Sequence, residues 1–274
     1  MVTGVYKNDK LLNVITENIS RLNQLERHLP EGLVVDAAWL ERLGISSSLR
    51  AYYVRTRWLE QPTRGLYRRT RGELQWQQVA ISLRQMLDKP IHVGGRSALD
   101  AQGFAHYLSV DPHRIHLYGP EKPPSWLAKL ELPQTFEFHN TQKLFPTSLL
   151  GKDDVREISW GQWDWTLTVS TPERAFLELL DQLPDEESFH QVDMLMQGAS
   201  HLSPTRLEKL LTTCTSVKVK RLFFFFADRH QHDWRNRLDR GVFDLGSGKR
   251  MLVRGGRLDP EYLITVPESL DALS

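Results

Sequence analysis

The sequence predicts a mixed α/β (α+β) protein. A small N-terminal helix–turn–helix with a basic hairpin comes first, and a larger mixed α/β domain follows. Three observations predict this. Apolar residues recur at three- and four-residue spacing up to about residue 59, the period of helices packed on one face. Between Ser46 and Arg71 stand seven arginines, one acid (Glu60) and no lysine. Beyond residue 75, helical periodicity alternates with short strand-like runs bounded by Gly and Pro, the pattern of layered α/β folds. The chain is expected to divide into 1–75, a winged helix–turn–helix, and 76–274, an α/β domain with room for a break into two subdomains near 170.

Composition sets outer limits. Of 274 residues, 40% are hydrophobic and 25% charged, ordinary values for a soluble globular chain. No apolar run approaches the roughly 18 residues of a membrane span. The opening MVTGVYKNDK lacks the basic-then-apolar layout of a signal peptide, so a cytoplasmic protein is expected. One cysteine, Cys214, excludes an internal disulfide or a thiolate zinc cluster and reads as a small apolar side chain near a helix end. Net charge is only +1, but it is unevenly spread: residues 1–75 hold 12 Lys/Arg against 8 Asp/Glu, and the rest holds 23 against 26. Exposed faces usually mix signs, so a one-sign stretch points to a polyanion meeting one end of the molecule.

Leu11, Leu12, Ile15, Ile19, Leu22, Leu25 and Leu29 define an amphipathic helix over Asn8–His28, stopped at Leu29-Pro30-Glu31-Gly32. Asp36 caps a short helix through Leu43, with Trp39, Leu40 and Leu43 turned inward. Gly44 supplies a turn between crossing helices, Ile45 plugs their angle, and Ser46 caps a second helix from Ser47 to about Leu59. On a wheel, Leu49, Tyr52, Tyr53 and Thr56 share the inner side, while Ser47, Arg50, Val54 and Arg57 share the outer. That division suits a recognition helix: arginine pairs bidentately with guanine O6 and N7, and serine reaches a base edge or a phosphate. Trp58–Gln61 and Leu66–Arg69 flank the turn Pro62-Thr63-Arg64-Gly65 and form the wing. The expected DNA-binding residues are Ser46, Ser47, Arg50, Val54, Arg55 and Arg57 on the helix, with Arg64, Arg68, Arg69 and Arg71 on phosphates from the wing. A winged helix used only for protein contacts is the alternative, and the arginine excess weighs against it.

Trp76–Leu87 reads as a helix stopped at Lys89-Pro90. Ile91–Val93 is a short strand, and Gly94-Gly95 turns the chain into a helix from about Ser97. A phosphate cradle there is the lesser reading, since the spacing matches neither a P-loop nor a dinucleotide fingerprint. Strands follow at Arg114–Tyr118, Thr135–His139 and Ile158–Val169, with a proline-rich loop over Gly119–Trp126. Trp160, Trp163 and Trp165 could stack bases, but their alternation favours a hairpin with one buried face. Ser170-Thr171-Pro172-Glu173 reads as a capping box opening the helix Glu173–Leu183. Helices are expected at Phe189–Gln197 and Ser203–Leu211, and the apolar run within Val217–Ala227 reads as a buried strand. His230, His232 and Asp233 read as a polar loop ahead of a metal site, Gly246–Lys249 as a hairpin turn, and Met251–Val253 and Tyr262–Val266 as strands.

No GxSxG, HExxH, nucleotidyltransferase or restriction-nuclease pattern is present, so no enzyme, cofactor or metal is expected.

The order Gly44-Ile45-Ser46, Arg57-Trp58-Leu59 and Arg64-Gly65-Leu66-Tyr67 resembles the N-terminal winged helix of AbiEi-family antitoxins, the antitoxin halves of type IV, abortive-infection toxin–antitoxin pairs. The resemblance continues in Ile91–Leu99 (IHVGGRSAL), Ser170–Ala175 (STPERA), Gly255-Gly256-Arg257 and Tyr262. It implies a transcriptional repressor whose N-terminal domain binds double-stranded DNA at inverted repeats in its own promoter. It also implies a C-terminal domain that counteracts a nucleotidyltransferase-like toxin without a stable complex. A regulator whose second domain binds a small effector is the alternative.

Overall fold

The structure is a computed structural model that describes residues 21–104, 113–146, 152–161 and 164–271. The first part of the expected N-terminal helix (Leu11 to Ile19) and Trp163 lie outside these residues. The chain forms two compact units, one running to Lys89 and taking in Pro124–Pro133, the other comprising Pro90–Pro123 and the chain from Gln134 onward.

In the first unit a helix over 21–28 (α1) leads to β1 (Val34–Asp36), α2 (Ala37–Arg42), α3 (Ser47–Arg55), β2 (Glu60–Thr63), β3 (Leu66–Arg68) and α4 (Trp76–Gln85). The strands form an antiparallel sheet in the order β1-β3-β2, with Val35 opposite Tyr67 and Glu60 opposite Arg68. This is a winged helix–turn–helix. Its helix starts follow local chemistry: Asp36 Oδ1 accepts from the Trp39 amide at 2.8 Å, and Ser46 Oγ from the Leu49 amide at 3.3 Å. Gly44 joins α2 to α3 at φ 72°, where a side chain would strain the backbone. Leu25, Leu29, Val34, Leu40, Ile45, Tyr53, Leu59 and Leu66 make the core. The unit runs past residue 75 because α4 belongs to it: Val79, Ile81 and Leu83 are buried, and Ser82 Oγ accepts from the Val34 amide of β1 at 2.9 Å.

The second unit is built on a five-stranded mixed sheet in the order β6-β5-β4-β8-β7. Its strands are β4 (His92–Val93), β5 (Arg114–Gly119), β6 (Thr135–Asn140), β7 (Val155–Ser159) and β8 (Thr166–Ser170). β5 and β6 are parallel, as are β4 and β8, and the other two pairings are antiparallel. Among the described residues of this unit the α-helices are α5 (Gly95–Ala101), α6 (Pro172–Asp181), α7 (Phe189–Gln197), α8 (Pro204–Thr213) and α9 (Val217–His230). A β-hairpin of β9 (Arg257–Asp259) and β10 (Ile264–Val266) stands apart from that sheet.

Three local expectations are corrected. The run expected as a buried strand is α9, a 14-residue helix. Phe223, Phe224 and Phe226 are fully buried, and the polar residues among them are absorbed by main-chain acceptors. Arg221 donates to the carbonyls of Leu245 and Gly248 at 2.7 Å each, and Lys218 to those of Asp181 and Leu183. A helix buried all round shows no amphipathic stripe, so its periodicity is hidden. Helix α6 has no capping box: Thr171 is the N-cap, but its Oγ1 donates to the Asp154 carbonyl and caps no helix amide, and Ser170 Oγ donates to Glu178. Glu173 accepts from the Ser203 amide and from Arg206, which joins α6 to the start of α8. Lastly, Met251–Val253 is not a strand. Its Leu252 and Val253 amides donate to Thr265 Oγ1, a side-chain bond in place of a ladder. Trp160 and Trp165, both half-buried across the β7–β8 turn, stack on each other at 6.3 Å. Among the described residues no helix is long and apolar enough to cross a membrane.

Candidate nucleic-acid interface

In a helix–turn–helix the second helix presents one face to the core and one to solvent, and the geometry of α3 fixes which residues are available. Tyr53 and Arg50 are buried, with Leu49 and Val54 half-buried beside them. Ser48, Ala51, Tyr52 and Arg55 are exposed at i, i+3, i+4 and i+7, and so form one continuous outer stripe, with Ser47 at its start. The wheel inferred from sequence is therefore turned by about one residue, roughly 100°. Tyr52, expected inside, is 45% exposed, and Arg50, expected outside, is 7% exposed.

Arg50 turns inward because partners for its guanidinium wait at the helix–turn–helix junction. Nη1 donates to the carbonyl of Ile45 and Nη2 to Glu41 Oε1, both at 3.0 Å, and the guanidinium lies 5.9 Å from the centroid of Tyr67. Ile45 sits in the α2–α3 turn, so Arg50 satisfies a turn carbonyl that would otherwise be stranded. Arg68 is likewise structural. It is buried, donates from Nε to Glu60 Oε2 at 2.7 Å across the hairpin, and from Nη2 to the Gly72 carbonyl at 2.7 Å. Arg69 is half-buried and ties the wing to the end of α1 through the carbonyls of Glu26 and Leu29 and the carboxylate of Glu31. Arg71 is exposed and pairs with Glu31 at 3.8 Å.

Arg55, Arg57 and Arg64 are exposed as well, on α3, just past its end and at the wing tip. Arg55 lies 5.7 Å over the Tyr52 ring, so the two share one flat polar patch on α3. Arg57 follows the end of α3 in the left-handed region, φ 62°, and Arg64 occupies the tip of the wing beside Gly65 at φ 84°. Trp58, 45% exposed, lies between helix and wing. Of the ten residues anticipated, Ser46, Ser47, Arg55, Arg57 and Arg64 are exposed on α3 and the wing tip, and Arg71 is exposed beyond the hairpin. Val54 is half-buried. Tyr52 and Ser48, exposed on the same stripe, lie outside that set, Tyr52 because a tyrosine on an apolar wheel reads as core.

The second unit carries a polar constellation that no motif announced. Glu178 on α6 is buried and accepts from Arg174 Nε and Ser170 Oγ at 2.7 Å and from the Gly95 amide at 2.9 Å, with His92 Nε2 at 3.5 Å. Burial alone would raise its carboxyl, but Arg174, His92 and Ser170 outweigh that and bring it down to about 2. The start of α5 therefore already holds a carboxylate. A Cβ at Gly94 would collide with Tyr118 and Glu178, so the phosphate-cradle reading is closed. Beside this network lies a cavity of about 330 Å³ lined by Tyr118, Glu137, His139, Lys143, Asp181, Gln182 and Glu186. His139 Nε2 meets His116 Nδ1 at 2.9 Å. Burial, then the neighbouring His139, lowers His116 to about 4, and burial also lowers His139. His230 and His232 do not converge on a metal: His230 Nε2 pairs with Asp193 at 2.7 Å, and His232 Nε2 bonds the Met196 carbonyl at 2.8 Å.

Residues 18–110 match a family model described as the N-terminal domain of the transcriptional regulator AbiEi antitoxin. Residues 112–267 match one described as "Transcriptional regulator, AbiEi antitoxin, Type IV TA system". The chain belongs to the AbiEi antitoxin family. It is a family of transcriptional regulators. The crystal structure of the RV2827C protein from Mycobacterium tuberculosis resembles this AbiEi chain in fold, with a TM-score of 0.55 and 18% identity over 94% of this chain and 93% of that one. At that identity the likeness speaks for fold alone. A search of curated proteins found no significant match.

Proposed function

We propose that this AbiEi protein represses its own toxin–antitoxin operon by binding inverted repeats in the promoter, and that its second unit antagonises a nucleotidyltransferase-like toxin without a stable complex. The observation that carries the DNA-binding half is the set Arg55, Arg57 and Arg64: three exposed arginines that frame the outer stripe of α3 and tip the wing. On this reading Ser47, Ser48, Tyr52 and Arg55 face base edges in the major groove, and Ser46, Arg57, Arg64 and Arg71 meet phosphates. Arg50, Arg68 and Arg69 hold the module in shape. Antagonism of the toxin rests on family membership, and the protein has no catalytic part in this reading.

A reporter fused to the chain's own promoter tests the proposal when the full-length protein is supplied in trans. Repression that is relieved by Arg57→Gly with Arg64→Ala is the expected result, and a reporter indifferent to the protein would sink it.

A second reading has its own observation. The cavity beside Glu178 is of a size that accepts a small molecule. A regulator whose operator affinity shifts with an effector bound there is distinguished by ligand-dependent binding to the same promoter DNA.

A further inference from the structure

β5 and β6 run parallel, with His116 opposite Glu137 and Tyr118 opposite His139. Side chains two apart along a strand share a face, so His116 and His139 lie diagonally on one side of the sheet edge. Their rings are nearly parallel, and Nδ1 of His116 points at Nε2 of His139 across 2.9 Å. The loop after α6 brings Glu186 to the same point, so that two imidazole nitrogens and a carboxylate oxygen lie within 4.8 Å of one another. We propose that His116, His139 and Glu186 bind one divalent transition-metal ion of the zinc class.

A hydrogen bond between the two imidazoles accounts for the pair, but not for the carboxylates around it. Glu137, Asp181 and Glu186 line the adjoining cavity, whose lining includes one cationic side chain, Lys143. Arg114 balances part of that charge by pairing with Glu137 at 3.5 Å. A cation between the histidines balances more of it. Zinc bonds to nitrogen and oxygen are about 2.0–2.2 Å long, which sets tetrahedral ligand atoms roughly 3.3 Å apart. To hold one ion the two nitrogens open by a few tenths of an ångström, and the rings turn from facing each other to facing a common point between them and Glu186. Glu186 is exposed, so its side chain can swing the remaining distance.

Imidazole with a single carboxylate selects zinc, cobalt, nickel or copper over magnesium or calcium, which prefer oxygen alone. Three protein ligands leave the fourth position open to the cavity, for water or a donor from a bound molecule. The outer shell is present too. The Gln182 side-chain amide lies 3.4 Å from His139 Nδ1 and 3.3 Å from the Tyr118 hydroxyl. With metal on Nε2, His139 carries its proton on Nδ1, and Gln182 accepts it after an amide flip.

The test uses untagged full-length protein, stripped with a chelator and titrated with Co²⁺. One ion per chain is expected by equilibrium dialysis, with visible d–d absorption that Zn²⁺ abolishes and a melting temperature that Zn²⁺ raises. His139→Ala and Glu186→Ala each weaken binding about tenfold or more, since even outer-shell partners of a metal site are worth 10–100-fold. His230→Ala, which removes an imidazole paired with Asp193, leaves it unchanged. Sub-stoichiometric uptake, or full affinity in the Glu186→Ala protein, overturns the proposal. Glu186 is exposed, so that variant decides the matter even if His139→Ala fails to fold.

Discussion

Arg50 Nη2 lies 3.0 Å from Glu41 Oε1, joining the middle of α3 to the end of α2 across the turn of the helix–turn–helix. The pair is asymmetric: the Arg50 side chain is 8% exposed and that of Glu41 60%. Most of the value of Arg50 therefore lies in its bond to the Ile45 carbonyl and its packing on Tyr67, with the ion pair adding little.

Arg50→Ala should destabilise the protein by about 1–3 kcal/mol, the cost of leaving a buried polar group unsatisfied. Glu41→Ala should cost about 0–1 kcal/mol, as an exposed partner does. Urea unfolding followed by tryptophan fluorescence measures both. Arg50→Ala protein that remains folded should keep its preference for operator over random DNA. Unchanged stability with lost base preference would return Arg50 to the DNA.

Arg55→Ala should weaken operator binding by about 1–3 kcal/mol while changing random-sequence binding less, as removal of a base contact does. Competition gel shifts with single-base operator variants locate the position it reads. Equal loss on both DNAs would place Arg55 on a phosphate.

Arg57 and Arg64 should act through charge. Their joint removal should flatten the dependence of log affinity on log salt by about two, roughly one for each phosphate no longer neutralised. Glycine is the better replacement at Arg57, because its φ of 62° suits a residue without Cβ and spares the fold. Arg68→Ala, which empties a pocket formed by Glu60 and the Gly72 carbonyl, should lower stability and leave the salt slope nearly unchanged.

Glu178 sets an acid limit on the second unit. Its folded-state carboxyl titrates near 2, below its ordinary value of 4.5, so the unfolded chain takes up protons first as pH falls. The stability it contributes is complete above about pH 4.5 and is lost progressively as pH falls toward 2. Glu178→Gln should flatten that limb and lower stability at neutral pH, since Arg174 keeps its burial but loses its counter-charge. Denaturant midpoints measured from pH 6 to pH 2.5 test this, and an equally steep limb in the variant would assign the acid loss elsewhere.

Most of the winged helix was legible because its signals are local: Asp36 and Ser46 as caps, Gly44 as a turn, and Arg64-Gly65 as the turn between two short strands. The orientation of α3 was not, because a wheel ranks Arg50 as polar and Tyr52 as apolar. Partners supplied by Ile45, Glu41 and Tyr67 decided otherwise. In α9 four consecutive phenylalanines erased the period that tells helix from strand, and the carbonyls that accept from Arg221 lie 24 and 27 positions away. The cluster of His92, His116, His139 and Glu178 was hidden for the same reason. Four segments contribute to it, and only the sheet order brings them together.

DNA binding by the winged helix is tested most directly by a footprint of the full-length protein over its own promoter, run with wild type and with the Arg57→Gly, Arg64→Ala variant. Protection of two symmetric half-sites by the wild type, abolished in the variant at moderate salt while circular dichroism stays unchanged, is the predicted result. An identical footprint from both proteins, or none from the wild type, would contradict it.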